Sequence, residues 1–264
     1  MMHSVFLKTL YDRRWFVAGW AIAFAALAAL MTSFFPAMKV SGLDELVKNM
    51  PPAFKGLIGD LGLLSSFDTY IASQLFDIRL PLIGGIMAII LGLGLSSSEE
   101  ETGELRTLAA LPISRTKIAL HKWLAIVVIS LAMVLAIVVG IYAVIPFLDD
   151  VSLSLDVAVR LLAFSWLLMV TFGTIPFAAG MIAGRRSVAM AAGVLVVIGS
   201  FILTTFGQAV DWLSDFERFS LLYYFPAVDL VKDGIQWANV IVLGGITLVL
   251  LIAAVIVFRR RDIA

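Results

Sequence analysis

The residues able to do chemistry in this chain gather in one polar stretch, Ser96 to Lys122, SSSEEETGELRTLAALPISRTKIALHK. Glu99, Glu100 and Glu101 stand side by side, and Glu104, Arg106, Arg115, Lys117, His121 and Lys122 follow. Adjacent carboxylates repel one another, so the chemistry they invite is ion pairing, either with those cations or with arginines carried by another subunit. Acid–base or nucleophilic catalysis finds no support. The only histidines are His3 and His121, there is no cysteine, and no His-Glu-x-x-His occurs. No lysine is both preceded by Gly and followed by Ser or Thr, which rules out a P-loop in the chain. We assign no residue a catalytic, cofactor-binding or metal-ligating role. Asp149, Asp150 and Asp156 form a short acidic loop better suited to solvent than to a metal.

The same stretch carries a second signal. Leu105, Leu108, Ala109 and Leu111 recur at helical spacing, and Pro112 stops the run. An apolar stripe beside charges on a polar connection predicts a free ridge that buries against a separate surface. Capping signals frame it. Ser98 with Glu101 reads as a capping box, Thr102 as the cap of a helix starting at Gly103, and Ser114 as the cap of the next. Ile113 and Ile118 fit a hydrophobic staple around that last cap. The glutamates are expected at the C-terminal end of a preceding helix, where the macrodipole disfavours each negative charge by about 0.3–1 kcal/mol.

The elements that must hold this stretch are membrane helices. Of 264 residues, 61% are hydrophobic and 14% charged, with a mean hydropathy of +1.04. Apolar runs near the ~20 residues needed to cross a bilayer occur six times. The expected spans are residues 15–35, 69–95, 117–148, 158–183, 187–207 and 237–258, with no acidic or basic residue at the middle of any. None alternates with period two, so an all-α polytopic membrane protein with a single transmembrane domain over 1–264 is expected rather than a barrel. With six crossings and the N-terminus inside, the inner segments carry Lys8, Arg13, Arg14, Arg106, Arg115, Lys117, Lys122, Arg185, Arg186 and Arg259 to Arg261, twelve of the nineteen basic residues. That bias puts both termini in the cytoplasm.

Other features follow in order. Phe6, Leu7, Leu10 and Tyr11 make Ser4 to Arg14 an amphipathic segment for the inner membrane surface. Ala21, Ala25 and Ala29 offer a small-residue stripe for a close helix contact. Leu43, Leu46, Val47 and Met50, then Phe54, Leu57, Ile58 and Leu61, predict short helices in the first outer loop. Pro81 with Gly84-Gly85, and Pro176, are possible helix breaks. Pro146 is expected to kink or end the third span, and Gly180-x-x-x-Gly184 permits close packing.

The central stretch, E-E-E-T-G-E-L-R-T-L-A-A-L-P-I-S-R-T-K, resembles the signature loop of ABC type-2 permeases, the six-span membrane subunits of ABC exporters. The aromatic segment YYFPAVDLVKDG before the last span is similar to that family's last outer loop, although Leu221-Leu222 replaces a Ser-Pro common among relatives. The resemblance implies that Gly103 to Leu111 is a cytosolic coupling helix, that Glu100 or Glu101 engages charged groups near an ATPase, and that spans two and five line the path. The coupling residues it implies are Glu100, Glu101, Gly103, Leu105, Arg106, Leu108, Leu111, Pro112, Ser114 and Arg115. The partners it implies are separate ABC ATPase subunits, which bind the ATP and Mg, a second permease copy or homologous permease, and the lipid bilayer; no nucleic acid is expected. The expected function is outward movement of a hydrophobic or amphipathic drug, peptide or lipid across the cell membrane. A stand-alone carrier or channel using the proline breaks, or a membrane assembly factor, are the alternatives.

Overall fold

The computed structural model describes residues 5–40, 66–109, 113–149, 151–207 and 210–261. The short helices expected from Leu43 and Phe54 lie outside the described residues, as do Leu111 and Pro112. Every regular element among the described residues is helical. Six stretches are long and apolar enough to cross a membrane: Arg14–Ala37, Phe67–Glu101, Arg115–Phe147, Leu155–Ala183, Arg186–Gly207 and Trp237–Arg260. The chain is an all-α polytopic membrane protein.

A short helix α1 (Val5–Asp12) leads into α2 (Arg14–Val40). The second crossing is composite. It starts with α3 (Phe67–Ile71), whose Thr69 N–H is 3.3 Å from the Ser66 hydroxyl that caps it. It continues as a π-helical run, Ala72–Gly84, then α4 (Gly85–Gly94) and a short α5 (Ser97–Glu101). This crossing begins at Phe67, so Asp77 and Arg79 lie inside the helical span, in its first half rather than at its middle. Both are satisfied locally: Asp77 Oδ1 accepts the Ala227 N–H at 2.7 Å, and Arg79 donates to Gln74 Oε1 at 2.9 Å. Pro81 sits within the π run, and Pro176 inside an unbroken helix, so neither opens the expected break.

A six-residue α6 (Glu104–Ala109) precedes α7 (Arg115–Val144). Pro146 does end that span, in the 3-10 turn Ile145–Phe147. Helix α8 (Leu155–Ala183) is capped by Ser154 and closed by Gly184 at φ +64°. After α9 (Arg186–Gly207) come α10 (Asp211–Ser214), 3-10 turns at Glu217–Phe219 and Leu222–Tyr224, α11 (Ala227–Lys232) and α12 (Trp237–Arg260).

Helix α8 is the axis of the bundle and touches α4, α7, α9 and α12. Lipid-like surroundings supply no hydrophobic drive between helices, so closeness of backbones and internal hydrogen bonds must hold them. Both are present. Gly92 of α4 lies on the Gly173–Phe177 backbone of α8, and a side chain there would come within 2.7 Å of Pro176. The alanine stripe of α2 serves the same purpose within the chain, because Ala25 lies against Gly140 of α7. Trp166 Nε1 donates to the Val127 carbonyl and Trp123 Nε1 to Thr174 Oγ1, each at 2.9 Å, joining α7 to α8. Thr171 and Thr247 hydroxyls meet at 2.8 Å between α8 and α12. Buried Thr32, Thr171, Thr174 and Thr247 also bond to the carbonyl four residues back, which satisfies their hydroxyls within the helix.

At one end of the bundle, Ser220 Oγ bonds Thr204 Oγ1 at 2.7 Å and the Ser200 carbonyl at 2.9 Å. With Asp77 on Ala227, these bonds seat the segment before α12 on α9 and the π run. The other end carries the charged stretch.

Candidate coupling site

Helix α4 ends at Gly94 with Leu95 as its cap, and Ser96 breaks the chain direction with φ −125° and ψ −100°. The glutamates therefore belong to a new helix, α5, with Glu99 and Glu100 in its first turn. This reverses the expected electrostatics: acids at a helix start face the positive end of a dipole, not the negative end. The Ser98–Glu101 capping box does not form, because Ser98 lies inside α5 rather than before it, and Ser96 caps with its backbone only. The Ser114 cap does form: its hydroxyl accepts the Lys117 N–H at 3.3 Å. Ile118 below it is buried and Ile113 half-buried, as a staple requires.

The three glutamates have three different fates. Glu99 pairs with Lys122 of α7, which is fully buried and also lies 3.4 Å from the Leu95 carbonyl. Glu100 pairs with Arg261, just past α12. Glu101 is exposed, as is Glu104, and neither has an ion pair among the described residues. Lys122 was among the cations expected to compensate; Arg261 was not.

One rule explains where the cations sit. The last carbonyls of a helix have no intrahelical partner and carry the negative end of the dipole. Arg13 Nη2 donates to the Gly94 carbonyl, which ends α4. Arg261 Nη1 donates to the Met181 carbonyl at 3.0 Å, near the end of α8. Each guanidinium occupies the place of a side chain that glycine lacks. A Cβ on Gly94 would lie 2.8 Å from Arg13, and one on Gly184 2.6 Å from Arg261. Arg115 in turn donates to the Arg261 carbonyl. The charged end is thus a knot that joins α1, α4, α5, α7, α8 and the chain after α12.

Helix α6 hangs on this knot. Gly103, at φ +77° with open space around it, makes the turn from α5. Gly103→Ala is expected to cost about 1–2 kcal/mol through backbone strain alone, read as a lowered unfolding temperature in detergent. Leu105 is fully buried and Leu108 only 9% exposed. The expected free ridge is therefore corrected. Both leucines belong to the chain's own core, because a six-residue helix is too short to stand without burying its apolar face locally. Arg106 lies within α6 by its backbone. A cleft of about 450 Å³ opens between α1 and α6, lined by Val5, Lys8, Asp12, Glu99, Glu104 and Leu108 among others. Lys8 and Asp12 pair across one turn of α1 at 3.3 Å.

The structure brings Glu100 and Arg115 together on Arg261 and buries Leu105 and Leu108 in the core, with Ser114 capping α7. It leaves Glu101 at the surface. Arg13 and Arg261, absent from the expected coupling residues, are 81 and 161 residues away from their partners. The signal available was an acid cluster beside glycines that end two spans. Among the described residues no group of three or more His, Cys, Asp or Glu side chains is placed to hold a metal.

No curated protein matches the chain. A family model described as ABC-2 family transporter protein matches residues 6–263, nearly the whole sequence, so the chain belongs to that family and is a multi-pass permease subunit of an ABC transporter.

Proposed function

We propose that this permease drives export. Separate ABC ATPase subunits, binding ATP and Mg, push on α6, and the bundle moves a hydrophobic or amphipathic substrate (drug, peptide or lipid) outward across the cell membrane. Both termini and the charged knot face the cytoplasm in this reading, and a second permease copy or homologous permease completes the path. The positive-inside bias of Arg185, Arg186 and Arg259 to Arg261 supports the orientation.

The observation that carries the coupling role is a division of labour within α5 and α6. One side is fastened by Leu105, Leu108 and two ion pairs, while Glu101 and Glu104 are exposed and have no ion pair among the described residues. A lever needs one end fixed and one end free. The free end here is acidic and three residues long in spacing, so it suits basic side chains of the ATPase. A ligand-driven shift requires contacts that differ between two states, and making or breaking exposed ion pairs supplies such a difference.

The test is a double reversal, Glu101→Arg with Glu104→Arg. Both side chains are exposed, so the fold should survive. Setting like charges against one another costs several kcal/mol, and each 1.4 kcal/mol is tenfold in affinity. Retention of the ATPase on the tagged permease is expected to fall at least about tenfold. Undiminished retention would remove the docking role from this turn.

A further inference from the structure

The sequence presents Arg259 to Arg261 only as a run of positive charge. We propose that Arg261 is a positioning residue for coupling, a clasp that fastens the glutamate turn to the end of α8 so that the two move as one body. The proposal rests on the permease reading above and adds to it the route by which motion of α6 reaches the central helix.

Arg261 makes three connections at once. Nη2 pairs with Glu100, Nη1 reaches the Met181 carbonyl at 3.0 Å and the Gly180 carbonyl at 3.4 Å, and its own carbonyl accepts from Arg115. A planar, five-donor guanidinium serves the carboxylate through one nitrogen and the helix-end carbonyls through the other in a fixed fork, whereas an ammonium concentrates its donors at a single point of charge. The surroundings are shaped for it. Gly184 leaves the helix through the left-handed region, and its missing side chain is the space the guanidinium fills. Gly180 is equally bare, and Ser96 packs where its side chain would be, within 2.9 Å of an added Cβ for the Ser96 Cβ itself. The turn from α4 to α5 thus lies directly on the last turn of α8, with Arg261 over the seam.

Burial separates this contact from an ordinary surface pair. The Arg261 and Glu100 side chains are 17% and 13% exposed, against 49% and 51% for Lys8 and Asp12. Desolvated, charge-assisted bonds are stronger and hold geometry better than exposed ones. Arg259 and Arg260, next in the chain, are exposed. The residue matters at one position of the run, and its neighbours supply the control.

The chain has no cysteine, so labels attach only where cysteines are placed. Spin labels at Thr102→Cys, on the turn, and Arg185→Cys, beyond the end of α8, report the distance across the seam in the full-length permease. It is measured in vesicles with its bound ATPase, before and after ATP with vanadate. With the native clasp, and with Arg260→Gln, the distance should be narrow and the same in both states. Arg261→Gln and Glu100→Gln should each at least double the width of the distribution and make it change with nucleotide. Arg261→Lys should fall between, keeping the charge but losing the fork. An unchanged width in Arg261→Gln overturns the proposal. So does loss of the ATPase in Arg261→Gln to the extent seen for the Glu101/Glu104 reversal, which would make Arg261 part of the docking surface. If Arg261→Gln yields no folded protein, Glu100→Cys with Arg261→Cys replaces it: a short bis-maleimide should join the pair in native membranes, and failure to join them overturns the contact. Should the unaltered permease retain no ATPase, the permease reading fails; the nucleotide-free widths still decide the clasp.

Discussion

Glu99→Gln is expected to lower the stability of the permease by about 3–5 kcal/mol, the cost of stranding one member of a buried ion pair. Lys122 is completely buried, and its ammonium has Glu99 and the Leu95 carbonyl as partners. Without the carboxylate, a full positive charge faces one carbonyl at 3.4 Å in a site with little water. The same principle says that removing both charges is far milder, since a well-packed apolar pair avoids the desolvation cost. Glu99→Gln with Lys122→Met should therefore recover most of the lost stability. Thermal unfolding in one detergent, followed by fluorescence-detected size exclusion, ranks the three proteins. If the double variant unfolds as early as Glu99→Gln, the pair is not the reason for the loss. If Glu99→Gln matches the native protein, Lys122 has found another partner and the ion pair is dispensable.

Gly140→Leu is expected to abolish the monodisperse folded protein. A Cβ at Gly140 would overlap the Ala25 carbonyl and sit 2.9 Å from its Cα. Those atoms are backbone and cannot rotate away, so α2 must leave α7. Overpacking a tight contact commonly costs 1–3 kcal/mol, about that order when neighbouring side chains can yield; here only whole helices can. Gly244→Leu is the matched control, because a Cβ there meets nothing within 4 Å. Expression as a fluorescent fusion should give aggregate for the first and a symmetric peak for the second. Comparable peaks would mean that α2 and α7 do not meet at this level.

Much of the fold was open to sequence reasoning because the bilayer sets a single length scale. Apolar runs of about twenty residues mark crossings whatever their packing, and Ser114 and Pro146 marked two ends by local chemistry alone. What sequence could not give was which small residues meet. The Ala21–Ala25–Ala29 stripe suited a neighbour in the same chain or in another; only the bundle assigns it to Gly140. Nor could it place Arg13 and Arg261, since a helix end recruits a cation by its position in space and not by its distance along the chain. The leucines of α6 failed for a related reason. Periodicity says that one face is apolar, but it does not say whether a partner or the chain itself covers that face; here the chain's own core buries Leu105 and Leu108.

The π-helical run Ala72–Gly84 bears on how the second crossing is fitted at both extremities. Asp77 ties it to Ala227 near one surface, and Glu100 is tied to Arg261 at the other. A stretch wound i→i+5 is rare and takes up residues surplus to α-helical register. It acts as a vernier between two fixed moorings. The chain keeps both attachments, although the count of residues between them need not match an ideal α-helix.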